Sequence, residues 1–285
     1  MTGGDGVLAT ISSVSNSVGY DTYTLASDGF GAKLLRFGQK INVYDATLAT
    51  HRTSGGEVEI VNYDIPNKTV KVATVASSAA TDKIVISGVS GASPTSLNGV
   101  PYHHSVSTAG TWQNLTRLTT PEIISNGVNA GGSLALSHAR LARNKMGDRI
   151  GMSNIPRVVA MMHPAQQQAY EDLGQKVSMI QKTAAQEGLN MYFSENMQLA
   201  GAPVKVSYMC DKTRIDFVNL DVWGRAEMRP AGFYDVEGRK IFEIRGASGG
   251  IATSQVFYIV ASFQLFMTNP AATAYVYNLS IPSGY

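Results

Sequence analysis

Between residues 7 and about 90 the chain alternates apolar and polar positions in short runs. These are "VLATISSV", "YDTYTLAS", "KINVYDA", "EVEIVNYD", "TVKVATV" and "KIVISG". A period of two bounded by turn-forming residues predicts strands. The clusters between them ("SDGFG", "TSGGE", "IPNK", "SSAATD") supply those turns. Short strands at such even spacing predict a small closed barrel or sandwich. Gly38, between an apolar patch and a strand, predicts a kink or bulge at a corner. Pro66-Asn67 predicts a tight turn. The alternation assigns the barrel core to Val7, Ile11, Leu25, Leu34, Ile41, Val43, Val58, Ile60, Val70, Val72, Ile84 and Ile86.

The pattern then changes. Residues 88 to 120 have no clear period, which predicts a long connection of the kind used for function or for an interface. Trp112 in its middle reads either as an anchor to the protein's own core or as a contact for a partner. From Ser133, which the preceding Gly131-Gly132 offers as an N-cap, apolar positions recur at helical spacing: Ala135, Ala139, Ala142 and Met146. Arg140, Arg143, Lys145 and Arg149 load the helix's second half with positive charge. That suits the helix dipole and leaves two readings, a solvated helix end or a contact to a neighbouring subunit or packaged polymer. Arg157 to Met162 predicts a buried strand stopped by His163-Pro164. Ala169, Leu173, Val177 and Ile180 predict a second helix despite Gly174. Strands follow around Val204–Met209 and Ile215–Leu220, and "GFYDVEGRKIFEI" predicts a hairpin turning near Glu237-Gly238.

The end of the chain, "VFYIVASFQLFMTNPAATAYVYNLSIPSGY", tests a membrane reading. Val256 to Met267 is well short of the roughly 20 apolar residues a spanning helix needs. Its β-branched and aromatic residues predict instead a long strand buried on both faces, with Pro270 at a corner and "TAYVYNLSI" as a further strand. The predicted organisation is a small all-β barrel with its linker over 1–100 and an α+β domain over 101–285.

Composition narrows the function. Charged residues make up 15% of the 285, against about 25% in ordinary globular chains. Such a surface suits a protein largely covered by neighbours. A net charge of +2 gives no strong case for nucleic acid or an anionic membrane. The single cysteine, Cys210, excludes an intrachain disulfide and reads as a small buried apolar group. "MTGGDGVLATISS" lacks a signal-peptide pattern, so synthesis in a reducing cytoplasm is expected.

Catalytic chemistry is missing from the pattern. His103-His104 is the one histidine cluster, and neighbours on a strand point to opposite faces. "GASGG" at 246–250 lacks the Lys-Ser/Thr of a phosphate loop. "GASPTS" has no nucleophile elbow. Asp211, Asp216 and Asp221 match no paired-carboxylate arrangement. No catalytic, cofactor or metal residue is assigned, and an enzyme is not expected.

Three stretches in order carry a resemblance: "PRVVAMMHPAQQQAYEDLG", "NMQLAGAPVKVSYMCDKTRIDFVNLDVWGRAEM" and "FQLFMTNPAATAYVYNLSIPSGY". From Asn154 onward the chain resembles the major capsid proteins of tailed bacteriophages. "GDGVLATISSV" and "PYHHSVSTAGTWQNLTR" resemble a subgroup with a β-rich insertion. The resemblance implies a capsid-type shell domain, a structural role in the virion and partners that are copies of the chain itself in hexamers and pentamers. It also implies scaffolding or decoration proteins and at most non-specific contact with packaged DNA. Family members usually begin with an extended arm, a long hairpin loop and a spine helix. None precedes Ser133 here, so those parts lie upstream or this is a reduced version.

The candidate subunit-interface residues are Trp112, Arg117, Arg140, Arg143 and Arg149. Two other function classes stay open. One is a phage tail-tube or baseplate β protein, favoured if 101–285 is all-β. The other is a carbohydrate-binding or hydrolytic protein, in which "YDTYTLAS" and Trp112 stack a sugar.

Overall fold

The computed structural model describes residues 6–26, 31–53, 56–75, 77–87, 99–151, 157–181, 197–235, 238–245 and 251–285. The linker "GVSGASPTSLN" from 88 to 98, Asn154, Glu237, "GASGG", and the side chains of Val177 and Ile180 lie outside the described residues. The chain forms two compact units, Met1–Val222 with Met267–Tyr285, and Trp223–Phe266.

All six predicted strands of the first region form. They are β1 (Val7–Ser17), β2 (Tyr20–Leu25), β3 (Lys40–Tyr44), β4 (Val58–Asp64), β5 (Thr69–Ala73) and β6 (Lys83–Ile86). They close into a barrel in the order β1-β2-β5-β4-β3-β6, with antiparallel neighbours. Closure removes the exposed edges of an open sheet. The β4–β5 turn is made as its residues dictate: the Asp64 side chain accepts the Asn67 N–H at 3.1 Å, and Lys68 takes a left-handed φ of 54°. Gly38 sits at φ 73°, and its N–H reaches the Ile60 carbonyl.

Eight of the twelve predicted core residues (Ile11, Leu25, Ile41, Val43, Ile60, Val70, Val72, Ile84) fill the barrel, and four do not. β1 carries register shifts between Val7 and Ala9 and between Ile11 and Ser13. Each shift breaks the period-two phase. The core therefore takes Leu8, Ala9 and Ile11, while Val7 joins a small separate cluster with Tyr44 and Val85. Leu35 replaces Leu34 in the interior, and Leu34, Val58 and Ile86 are half-buried against the core.

The larger unit continues with α1 (Val100–His103), a hairpin of β7 (Thr111–Trp112) and β8 (Leu115–Thr116), β9 (Asn126–Gly132), α2 (Leu136–Ile150), β10 (Val158–Met162), α3 (Pro164–Gln181), β11 (Gln198–Leu199), β12 (Ala202–Val206) and β13 (Ile215–Asn219). The second unit holds β14 (Trp223–Phe233), β15 (Phe242–Arg245), β16 (Ile251–Val256) and most of β17 (Ile259–Met267), and β18 (Ala274–Leu279) returns to the first. A mixed six-stranded sheet runs β11-β12-β10-β13-β18-β9, with β10–β12 and β18–β9 parallel. Alternation along its central strands sorts the two faces. Ile215, Phe217, Ala274 and Val276 pack with Ala139, Ala142 and Met146 of α2, and Ala169 and Leu173 of α3 lie against the same cluster. Asp216 and Tyr275, which pair across β13 and β18, point the other way.

Three expectations are corrected here. Ser133 does not cap the helix, which starts at Leu136 after Ala135 with no side-chain cap. The Gly- and Asn-rich segment before it is β9, a strand through its partner β18 rather than its own propensity. Among the described residues the arms of the hairpin predicted around Glu237-Gly238 pair elsewhere: β14 with β17, and β15 with β16. The closing apolar run is not one strand buried on both faces. It splits into β16 and β17, and β17 is exposed or half-buried at every residue but Met267, whereas β18 is buried in the sheet as expected.

Val43 lies fully buried in the closed barrel. Residues 1–95 expressed alone should give a cooperative β-type unfolding transition by circular dichroism. Val43→Asp, which buries an unpaired charge, should abolish it. A disordered fragment would show that the barrel depends on the rest of the chain.

Candidate interface surfaces

The second face of the mixed sheet is covered by the connection after the barrel, and buried polar groups hold the cover in place. The Asp216 side chain is 15% exposed. Arg214 donates to its Oδ1 from Nε at 2.8 Å and Nη2 at 2.7 Å, and His104 Nδ1 lies 2.9 Å from the same oxygen. Arg214 Nη2 also reaches the His104 carbonyl at 2.9 Å, and its guanidinium stacks 3.9 Å from the Tyr275 ring centre. The Tyr275 hydroxyl accepts the Val106 N–H at 2.9 Å. Gly127 on β9 permits this approach, because Val106 and the Tyr275 ring occupy the place a Cβ would take. Burial alone would raise the Asp216 carboxyl, but the Arg214 charge and the His104 contact outweigh it and hold it at about 2. Burial drives His104 below its ordinary value, so it is a neutral imidazole.

The sequence-predicted interface residues do not converge. Trp112 is 3% exposed, and its indole N–H donates to His103 Nδ1 at 3.0 Å. Its surface is therefore spent on the protein's own core, the anchoring one of the two readings its sequence position allows. Arg117 is likewise buried, donating to the Tyr102 carbonyl at 2.9 Å and lying over the Tyr102 ring. Arg143 donates to the Ala200 carbonyl, and the space beside Gly201 that a Cβ would fill holds its guanidinium. Arg149 ties α2 to the carbonyls of Ile124 and Pro121. Of the five, Arg140 is solvent-facing with no such bond among the described residues. A guanidinium forks readily onto backbone carbonyls, so the basic helix end is internal strapping as well as a complement to the dipole.

The surface that sequence reasoning missed lies in the second unit. Met228 is 91% exposed and Ile259 66%, while Phe233, Ile241, Phe257 and Tyr258 are each more than half exposed. Aromatic rings cluster along the ribbon, with Phe233–Phe257 at 5.6 Å and Phe242–Tyr258 at 6.1 Å between centres. Arg225 lies over Phe263, which places them on one face; Gly224 lies under the Phe266 ring on the other. By alternation Arg225, Glu227 and Arg229 share the first face of β14, and Gly224, Ala226, Met228 and Pro230 form an uncharged second one. That asymmetry is a legible signal in "WGRAEMRP".

Among the described residues no group of three or more His, Cys, Asp or Glu could hold a metal, and no helix is long and apolar enough to cross a membrane. Cys210 is half-buried, and burial pushes its thiol up to about 11.

Two acid-sensitive groups face the mixed sheet's surroundings, His104 and His163, the latter held at about 4 by burial with help from Lys33 and Lys212. Unfolded imidazoles titrate near 6.5, so below that value the unfolded chain binds protons the folded chain refuses. Stability should be full above about pH 6.5 and fall progressively toward pH 4. Denaturant midpoints measured across that range check this, and a flat profile would overturn it. Arg214→Met should cost about 3–5 kcal/mol by leaving Asp216 without its cation, read as a lowered denaturant midpoint.

The chain matches no family profile and no curated protein sequence. Among solved structures it is similar to a chain described as the cyanophage A-1(L) capsid asymmetric unit, at 18% identity and a TM-score of 0.44. That similarity covers 67% of this chain and 62% of the other chain's length.

Proposed function

We propose that this protein is a structural subunit of a tailed-bacteriophage capsid shell that works by contact between repeated copies. The observation that carries the reading is the second unit: two-stranded ribbons with large apolar side chains such as Met228, Phe233 and Ile259 in solvent. A lone two-stranded ribbon is marginal in water, and an exposed apolar patch of this kind marks an interaction surface. The ordered resemblance of "PRVVAMMHP", "LAGAPVKV" and "FMTNPAATAYVYNLSI" to phage major capsid proteins supplies the kind of assembly. The low charge content agrees with a surface covered by neighbours. On this reading the partners are further copies of the chain in rings, the place is the virion, and Arg140 offers at most a non-specific contact to packaged DNA. Scaffolding and decoration proteins remain further partners of the proposal.

The two competing classes fare worse. A tail-tube or baseplate β protein calls for an all-β second half, and α2 and α3 run against that. A sugar-stacking role for Trp112 needs an exposed indole, which it lacks.

Light scattering and electron microscopy of the purified protein test the proposal. Rings or shells are expected at high concentration, and a monomer under every condition would sink it. Met228→Glu combined with Ile259→Glu should block assembly while shifting the monomer's stability by no more than about 1 kcal/mol, since both side chains are exposed.

A further inference from the structure

We propose that Lys33 is an acylation site, an amine held by its neighbours in the form that attacks an activated acyl donor. Lys33 stands on a 3-10 turn after β2, Gly31–Leu34. Its Nζ donates to the Tyr208 carbonyl at 3.2 Å and lies 2.9 Å from His163 Nε2. His163 directly precedes α3 and is 1% exposed. The rings of Tyr208 and Tyr285 pack edge-on to its imidazole, at 5.8 and 5.9 Å. Lys33 itself is half-buried, so a reagent in solvent reaches it.

The hydrogen-bond complement of His163 sets the state of the amine. A neutral imidazole has one acceptor nitrogen. His163 Nδ1 accepts the Ala165 N–H at 3.1 Å, a backbone donor that cannot change its role. Nε2 therefore carries the ring proton and points it at Lys33. An ammonium there sets donor against donor, where burial keeps water from intervening. A neutral amine instead accepts from Nε2 with its lone pair and still donates to Tyr208. Burial lowers Lys33 in the same sense. Burial, then the charges of Lys33 and Lys212, hold His163 at about 4 against the pull of Asp211, so the ring is neutral. The contact that favours the ammonium is the Tyr208 ring, 5.0 Å from Nζ. Tyr208 is 66% exposed, and such a contact is weakest in solvent.

The same complement names the modification. Tyr208 offers an acceptor and His163 Nε2 a donor. An amide supplies one N–H and one carbonyl oxygen, whereas an ammonium supplies three donors and no acceptor. An acylated Lys33 therefore suits both neighbours. In the reaction the Nζ lone pair attacks the carbonyl carbon of an acyl phosphate. The C–N bond forms, and the C–O bond to phosphorus's oxygen breaks with its electron pair on the departing phosphate. The surplus proton on nitrogen passes to that phosphate or to water.

The test uses the folded subunit and does not depend on assembly. The full chain is treated with acetyl phosphate from pH 6 to pH 10, and acetylation at each lysine is read by peptide mass spectrometry. Exposed Lys71 is the internal reference. Scaling each lysine to its own plateau at high pH removes differences in access. At pH 7 the scaled acetylation of Lys33 should exceed that of Lys71 at least about tenfold, since each unit by which a midpoint falls gives tenfold more free amine. His163→Asn keeps a side-chain acceptor for the first turn of α3 and removes Nε2, so Lys33 should then follow Lys71. A wild-type Lys33 profile that coincides with that of Lys71, or one that His163→Asn leaves unmoved, would overturn the site. If His163→Asn does not fold, two other variants decide. Lys33→Arg places a permanent cation against Nε2–H and should melt several degrees below Lys33→Met. Any other order counts against the proposal.

Discussion

A carboxylate on the inner strand of a sheet sets the terms for one whole face of this protein. Asp216 alternates with Ile215 and Phe217, so the residues that bury β13 against the helices force Asp216 to the opposite side. A charge there must be paired and hydrogen-bonded. Arg214, two residues earlier on the same side, supplies the charge, and His104 supplies the third contact. His104 brings its segment with it. His103 then meets Trp112, and Tyr102 meets Arg117, so a connection without regular structure is fixed onto the sheet through one polar chain of contacts. The apolar face could be repacked with other aliphatics. The polar face has no such latitude, because each group is the partner of the next.

This difference explains what the sequence disclosed. Strands β1 to β6 were legible because each carries its own alternation and its own turn residues, as at Asp64–Lys68. The helices were legible through Ala139, Ala142 and Met146 and through Ala169 and Leu173. The bulges in β1 were not, since a single extra residue shifts the phase without changing composition. β9 was not legible because "NGVNAGG" has little strand propensity and owes its conformation to β18, nearly 150 residues later. The candidate site was read from Trp112 in an irregular connection and from arginines that load a helix end with charge. Those same types also make the best internal anchors, and only their distant partners, such as the Ala200 and Ile124 carbonyls, decide which.

The second unit shows the reverse case. Its apolar runs satisfied every local criterion for a buried strand, yet β17 is exposed or half-buried at all but its last residue. Apolar patterning records that a surface is to be covered and carries no information on whether the cover belongs to the same chain. "VFYIVASFQLFM" is as apolar as a core strand would be, and the distinction lies in what else is near it.

On the proposed reading, what covers the ribbon is constrained by how its edges are guarded. Each strand of a two-stranded ribbon has one side without a backbone partner, a template for open-ended strand addition. β14 carries Pro230, which has no N–H to offer, and the charges of Arg225, Glu227 and Arg229 along one face. Arg225 and Glu227 are paired at 2.6 Å, and Arg229 lies over Tyr234. Edge-to-edge growth is therefore disfavoured at β14, while the uncharged face with Met228 stays open to side-chain packing. Side-chain packing is directional in a way that strand addition is not. A heterologous contact that uses it gives a closed ring when its rotation divides a full turn, and a filament when it does not. A guarded edge beside an open apolar face is the arrangement that permits closed assemblies while opposing fibres.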